Sequence, residues 1–198
     1  MSGTHKLMDF KFKGERTYVH GTDFFEAISQ FLNTYGDGFV KELSFRLFTD
    51  HQCVIHLNAL GTPAAKVICQ GRWRNIDDGG DTKFWVTETD KTVAGRYDFD
   101  EDALCEGAGI EDNKICHRFN SEFSMIDNIV ALTKYYHNTK LTLSSGKWVF
   151  GQIVLTEGLP SECEIIEINN YQNIKDRFSR NHIVLNGHRI GEIRFIVS

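Results

Sequence analysis

Two histidines in this chain each lie a short way ahead of a carboxylate in a segment with helical periodicity. His20 precedes Glu26 by six residues, and His117 precedes Asp127 by ten. An imidazole changes its protonation state near neutral pH and therefore suits a general base. A carboxyl group that is half buried among apolar side chains has a raised pKa and can donate a proton. The two sets therefore predict general acid–base chemistry.

Each of these four residues also has a structural explanation. A histidine ahead of a helix often serves as a cap or as a surface group. A carboxylate in an exposed first helical turn, as Glu26 would be, complements the positive end of the helix dipole. Asp127 lies between Ile126 and Ile129, where a purely structural core would prefer an apolar residue, although a solvated position or bonds from nearby amides would also explain it. The residues alone leave both explanations open.

The segments around the two carboxylates align as copies of one unit. Placing Glu26 on Asp127 also matches four apolar or aromatic pairs, which are Phe25 with Ile126, Ile28 with Ile129, Phe31 with Leu132, and Tyr35 with Tyr136. Repetition over about half the chain constrains the fold before any local assignment is made. We therefore predict a first unit at 1–92, an acidic linker at 93–115 and a second unit at 116–198.

Within each unit, the hydrophobic pattern predicts one long helix followed by about four strands. Helical periodicity covers 23–35, with Thr22 as the N-cap, and 124–137, with Ser124 as the N-cap. The strands follow at 43–47, 53–58, 66–74 and 83–89, and at 148–155, 163–169, 177–185 and 189–197, with Asn186-Gly187 as a strong hairpin signal. One helix and an antiparallel meander per unit predict an α+β fold in which a sheet wraps around the helix. A plain α+β sandwich is the alternative.

Several motifs of the second unit resemble the β-hydroxyacyl thioester dehydratases of bacterial fatty acid synthesis. The resemblance runs over about eighty residues, from Cys116 to Val197, and lies in Cys116-His117-Arg118-Phe119, Met125-Ile126-Asp127, Gly158-Leu159-Pro160 and Asn186-Gly187-His188-Arg189-Ile190. In the first unit, Phe25-Glu26-Ala27-Ile28-Ser29-Gln30 is similar to the sister branch that uses glutamate. The family has the hotdog fold, and two such units imply a double hotdog, with two antiparallel sheets joined and wrapped around two central helices.

The resemblance implies dehydration of a 3-hydroxyacyl thioester. In hotdog dimers, the histidine comes from one unit and the carboxylate from the other, which pairs His20 with Asp127 as base and acid, and His117 with Glu26. The first pair is favoured, because modular polyketide dehydratases look similar in taking His from the first hotdog. An acyl thioesterase is one alternative. A non-catalytic protein that binds an acyl chain or an acyl carrier is the other, and it is favoured by histidine-to-carboxylate loops shorter than those of the family.

The implied substrate is an acyl thioester carried on coenzyme A or phosphopantetheine, with no separate cofactor and no metal. An acyl carrier protein is a candidate partner, and a homodimer stays open. The formal net charge of −5 disfavours nucleic-acid binding, which would need a basic surface. No apolar run approaches the ~20 residues that span a bilayer, and five scattered cysteines predict free thiols. We therefore expect a cytoplasmic protein without a membrane span.

Overall fold

Each half of the chain packs one long helix against an antiparallel sheet. The computed structural model describes residues 5–58, 66–141, 143, 145–175 and 177–198. The chain divides into two units, Met1–Phe99 and Asp100–Ser198. The division falls within the segment 93–115, for which the sequence predicts a linker.

The first unit has a five-stranded antiparallel sheet and a short parallel bridge. Its sheet has the order β1-β4-β6-β5-β3, and β2 pairs with β7 in parallel. In chain order the elements are β1 His5–Met8, β2 Phe12–Lys13, α1 Gly21–Leu32, a 3-10 turn Asn33–Tyr35, β3 Gly38–Phe45, β4 His51–Leu57, β5 Val67–Asn75, β6 Asp81–Thr92 and β7 Arg96–Tyr97.

The helix α1 forms because its apolar residues recur every three to four positions and turn one face to the sheet. The side chains of Phe24, Ile28 and Leu32 on that face are almost fully buried. Phe24 also contacts an aromatic ring on either side of it, with ring centroids 4.6 Å from Phe10 and 5.8 Å from Phe45. The helix ends in the 3-10 turn at Gly36, whose φ of 144° suits glycine.

The strand order of the first unit differs from the predicted meander. We expected the strands after the helix to pair in sequence, but β6 lies between β4 and β5. The cause is the pairing capacity of β6, a 12-residue strand that forms antiparallel ladders with both neighbours. The hairpin from β5 to β6 therefore folds back against β4.

The second unit has a six-stranded antiparallel sheet with the order β10-β13-β12-β11-β9-β8. Here the last three strands do form a meander. In chain order the elements are α2 Glu101–Cys105, β8 Gly109–Glu111, β9 Lys114–Arg118, α3 Met125–Lys140, β10 Trp148–Leu155, β11 Ile165–Ile174, β12 Phe178–Leu185 and β13 His188–Val197.

The hairpin between β12 and β13 confirms the Asn-Gly signal. Asn186 and Gly187 have φ angles of 49° and 81°, and two positive φ angles in succession are what a tight two-residue hairpin turn requires. Along β12, buried and half-buried residues alternate, so that Ile183 and Leu185 face the core. The helix α3 covers this core with Ile129 and other buried apolar side chains.

The predicted linker contains short elements of its own. Asp100 caps α2 by accepting hydrogen bonds from two backbone amides of its first turn. Leu104 and Cys105 at the end of α2 are buried. Lys134 on α3 donates to the carboxylate of Glu101 over 2.6 Å. From Asp100 onward the segment therefore packs as part of the second unit.

Candidate functional site at the starts of the two long helices

His20 is the N-cap residue of α1, a position that the sequence prediction gave to Thr22. Its backbone is extended, with φ −73° and ψ 146°, and its carbonyl oxygen accepts from the amides of Asp23 (3.1 Å) and Phe24 (3.3 Å). The helix thus begins at Gly21, and Thr22 lies inside its first turn. The helix starts earlier than predicted because Gly21 takes helical geometry although it has little intrinsic preference for it.

The His20 side chain is 8% exposed and is held through Thr22. Nδ1 of His20 lies 2.8 Å from Oγ1 of Thr22. The same oxygen accepts a hydrogen bond of 2.9 Å from Nζ of Lys13. Imidazole, hydroxyl and ammonium therefore form a continuous polar chain at the helix start.

Sequence reasoning missed Lys13, which belongs to this cluster. It is buried, with an exposed fraction of 2%. Its ammonium lies 3.3 Å from Oδ1 of Asp23 and 4.3 Å from the centroid of the Phe99 ring. Tyr97 donates its hydroxyl proton to the same Oδ1 over 2.7 Å. Because a buried charge is tolerated when it is paired and hydrogen-bonded, these contacts explain how Lys13 can lie in the interior.

The parallel bridge between β2 and β7 positions this cluster. It places Lys13 opposite Tyr97, and the amide of Gly14 donates to the carbonyl of Tyr97 over 2.9 Å. The chain ahead of β2 is fixed by Gln52, whose buried amide group bonds both the N–H and the carbonyl of Phe10. The alternation Phe10-Lys11-Phe12-Lys13 does not indicate the burial of Lys13, because a strand that buries its phenylalanines turns the alternate lysines to solvent.

Asp127 lies in the first turn of α3, and its side chain is 7% exposed. The predicted cap, Ser124, is confirmed: its Oγ accepts a hydrogen bond of 3.2 Å from the Asp127 amide. A carboxylate at this position lies near the positive end of the helix dipole. The start of α3 therefore holds a buried acidic group in a defined turn.

Asn128 fixes the loop that leads into α3. Its Nδ2 donates toward the carbonyl oxygens of Asn120, Phe123 and Ser124, and its Oδ1 accepts from the Asn120 amide. This side chain is fully buried. It replaces the local secondary structure that the loop lacks, and thereby sets the position of the residues on either side of it, Asp127 included.

The other two predicted site residues lie in less enclosed places. His117 is on β9, opposite Ile166 of β11, and is half buried; burial lowers the pKa of its imidazole. Glu26 is half buried in the second turn of α1.

A second buried histidine, His137 on α3, was not singled out from the sequence. Its Nε2 lies 2.8 Å from Oγ of Ser179, to which Asn181 also donates, and its ring stacks on Trp148 at 4.6 Å. Burial lowers the pKa of His137 to about 3, against the opposing effect of Asn181. Such an imidazole is too weak a base for proton abstraction at neutral pH, so this cluster is part of the core.

The thiols are not activated. All five cysteines are free, as predicted, and burial raises the pKa of Cys53 and of Cys105 to about 12. A thiolate, not a thiol, is the nucleophile.

In the part of the chain that the structure describes, no three His, Cys, Asp or Glu side chains converge as a metal site would require. Within the same residues, no helix has the length and apolar character needed to cross a membrane.

Solved structures share the fold of this chain, whereas no family model and no curated protein matches it. A putative thioesterase II from Thermobifida fusca YX aligns with a TM-score of 0.51 at 10% identity, over 100% of this chain and 93% of that chain. A trans-AT polyketide synthase dehydratase domain from Brevibacillus brevis aligns with a TM-score of 0.52 at 7% identity, over 100% and 95%. At these identities the likeness concerns the fold, and the chain has the hotdog fold of these thioesterase and dehydratase domains.

Proposed function

We propose that the chain is a 3-hydroxyacyl-thioester dehydratase with one site, to which the first unit contributes His20 and the second contributes Asp127. In this proposal the two units join as a double hotdog, so that both helix starts face one substrate. The substrate is a thioester of coenzyme A or of a phosphopantetheine arm, and the latter would make an acyl carrier protein a partner.

The observation that carries the proposal is the contrast in burial among the four predicted residues. His20 and Asp127 are buried, and each lies at the start of the long helix of its unit. His117 and Glu26 are only half buried. Buried polar groups cost free energy unless they are compensated, so their retention in an apolar interior is typical of functional sites.

The chemistry needs three groups. One must take the α-proton, one must protonate the departing hydroxyl, and one must hold the oxygen on which negative charge develops. A positioned acid or base typically contributes ~10²–10⁴ in rate. An imidazole and a carboxyl group in a site that excludes water can divide these tasks, and backbone amides at a helix start are further donors.

Thioester hydrolysis is the second candidate, because the thioesterase II structure aligns as well as the dehydratase domain does. In that reaction the carboxylate of Asp127 would activate a water molecule, and no 2-enoyl product would form. A binding protein without turnover is the third candidate.

The deciding experiment supplies a 3-hydroxyacyl-coenzyme A series to the full chain and follows the absorbance of the 2-enoyl thioester and the release of free thiol. The proposal predicts enoyl product, which Asp127→Asn and His20→Ala each reduce by about 10²-fold or more. Glu122→Gln is the matched control, since Glu122 is an exposed acid in the loop ahead of α3, and it should leave the rate unchanged.

Two results would contradict the dehydratase, and a third would contradict the assignment of its site. Thiol release without enoyl product would select the thioesterase. Acyl-chain binding without turnover, unchanged by His20→Ala and Asp127→Asn, would select the binding protein. Loss of activity in His117→Ala with His20→Ala unaffected would move the site to the other predicted pair, His117 with Glu26.

A further inference from the structure

The hydroxyl of Thr22 lies between two polar groups that differ in whether they can donate or accept a hydrogen bond. Thr22 is 0% exposed. Within the described part of the chain, its Oγ1 has two polar neighbours, Nζ of Lys13 at 2.9 Å and Nδ1 of His20 at 2.8 Å. A hydroxyl oxygen has one proton to donate and can accept two hydrogen bonds.

Lys13 can only donate, because an ammonium group has no lone pair. Its bond therefore uses one acceptor position of the Thr22 oxygen, and the hydroxyl proton still needs an acceptor of its own. Hydroxyls further along the helices of this protein donate to the carbonyl one turn back, as Ser29 does to Phe25 and Thr133 to Ile129, each over 2.7 Å. Thr22 is in the first turn of α1 and has no helical turn before it.

The acceptor within reach of the Thr22 hydroxyl is Nδ1 of His20. We infer that Thr22 donates to Nδ1, so that the neutral imidazole of His20 carries its proton on Nε2, with Thr22 and Lys13 as the positioning residues that select this tautomer. In the opposite tautomer, Nδ1–H would point at an oxygen that already accepts from Lys13, and the buried hydroxyl proton would be left without an acceptor. An unsatisfied buried donor disfavours that arrangement by about tenfold or more.

The tautomer assigns the roles in the site, and this step rests on the proposed dehydratase function. An imidazole with Nε2–H is a hydrogen-bond donor at that atom and not a base. It is suited to hold the thioester carbonyl oxygen as negative charge develops there. His20 then stabilises the enolate, and Asp127 performs the proton transfer, which reverses the assignment that the sequence favours.

The proton balance closes without another reagent. The carboxylate of Asp127 takes the α-proton, and the C–H electron pair moves to the α-carbon and the carbonyl oxygen that His20 holds. As the C=C bond forms, the β-carbon–oxygen bond breaks, and the hydroxyl leaves with the proton that Asp127 returns to it. The products are a 2-enoyl thioester and water, and Asp127 is again a carboxylate.

The tautomer can be read without any substrate. Long-range ¹H–¹⁵N correlation spectra of the ¹⁵N-labelled full chain at about pH 8, where an ordinary histidine is neutral, distinguish the two ring nitrogens, and His20→Gln identifies the signal by its absence. We expect protonated Nε2 in the wild type and in Thr22→Ser, which keeps the hydroxyl. Thr22→Val removes the hydroxyl and should shift the tautomer ratio toward Nδ1–H by about tenfold. Protonated Nδ1 in the wild type would overturn the inference.

Kinetics test the role of the tautomer. If His20 donates a hydrogen bond to the carbonyl oxygen, the amide N–H of His20→Gln replaces part of it, and kcat should exceed that of His20→Ala by about tenfold. Equal losses in the two variants would make His20 the base and overturn the role. If the wild-type protein forms no enoyl product, the proposed dehydratase function is refuted. The tautomer inference is tested separately, because the spectra report the tautomer without any substrate.

Discussion

Replacing His137 by glutamine is expected to remove part of the acid sensitivity of the protein's stability. Burial lowers the pKa of His137 to about 3 in the folded chain, whereas an unfolded histidine has a pKa of about 6.5. Below about pH 6.5, His137 of the unfolded chain binds a proton, whereas His137 of the folded chain stays neutral. The stability contributed by this group is therefore complete above the unfolded pKa and is lost as the pH falls toward the folded one.

The magnitude follows from proton linkage. Between about pH 7 and about pH 5, protonation of the unfolded imidazole lowers the free energy of unfolding by about 2 kcal/mol, because the folded form stays neutral over that whole interval. Glutamine retains a polar group near Ser179 but does not titrate. His137→Gln should therefore be less stable than the wild type at pH 7 by an amount that shrinks by about 2 kcal/mol at pH 5.

Urea unfolding of the full chain at the two pH values measures this difference. Ile129→Val is the control, since Ile129 is a fully buried residue of the same helix and its truncation lowers stability by ~1 kcal/mol without changing proton binding. The reasoning would be refuted if His137→Gln lost as much stability between the two pH values as the wild type and Ile129→Val do. A folded-state His137 ring signal that titrates between pH 7 and pH 5 would refute it as well.

Two further predictions concern the start of α3. Ser124→Ala should lower the free energy of unfolding by about 1 kcal/mol in urea unfolding, because the Asp127 amide loses its cap, and Ser124→Thr should retain most of it; an unchanged stability in Ser124→Ala would contradict the cap. Asn128→Ala should cost about 2–3 kcal/mol, since it leaves several buried backbone groups unsatisfied. Asn138→Ala, at an exposed site on the same helix, is its control and should change stability by less than ~0.5 kcal/mol. Equal effects in the two variants would refute the role of Asn128 in fixing the loop ahead of α3.

Hydrophobic periodicity is enough to predict both long helices and the strands that follow them. The helix α1 and strands such as β12 bury one face each, and burial on one face leaves a period of 3.6 or 2 in the sequence. The first half of α3 is buried on all sides, so its apolar period is weaker. The Asn186-Gly187 turn is equally local, since it depends on the φ angles of two residues. The order of strands in the first sheet is not local. It depends on β6 pairing with β4 as well as β5, and no pattern within β6 specifies its partners.

In the candidate site, too, some features depend on local sequence and others on contacts between distant parts of the chain. Asp127 with its cap Ser124 is a local motif, and the sequence predicts the cap correctly. The cluster around His20 is not local, because Lys13 and Tyr97 are far apart in the chain and meet through the β2–β7 bridge. A lysine in an alternating segment normally points to solvent, so sequence alone assigns Lys13 to the surface. Its burial becomes reasonable only with its partners in place.

The four residues predicted from the sequence to do chemistry differ in burial from one unit to the other. At the start of its helix, the first unit buries a histidine, and the aligned carboxylate Glu26 is half buried. The second unit buries the carboxylate Asp127 in its first helical turn, whereas His117 lies on a strand rather than at the cap. Each unit thus encloses one of its two predicted residues, a histidine in the first unit and a carboxylate in the second. Two equivalent His–carboxylate sets would need both histidines and both carboxylates to be enclosed, and the burial of His117 and Glu26 does not meet that requirement.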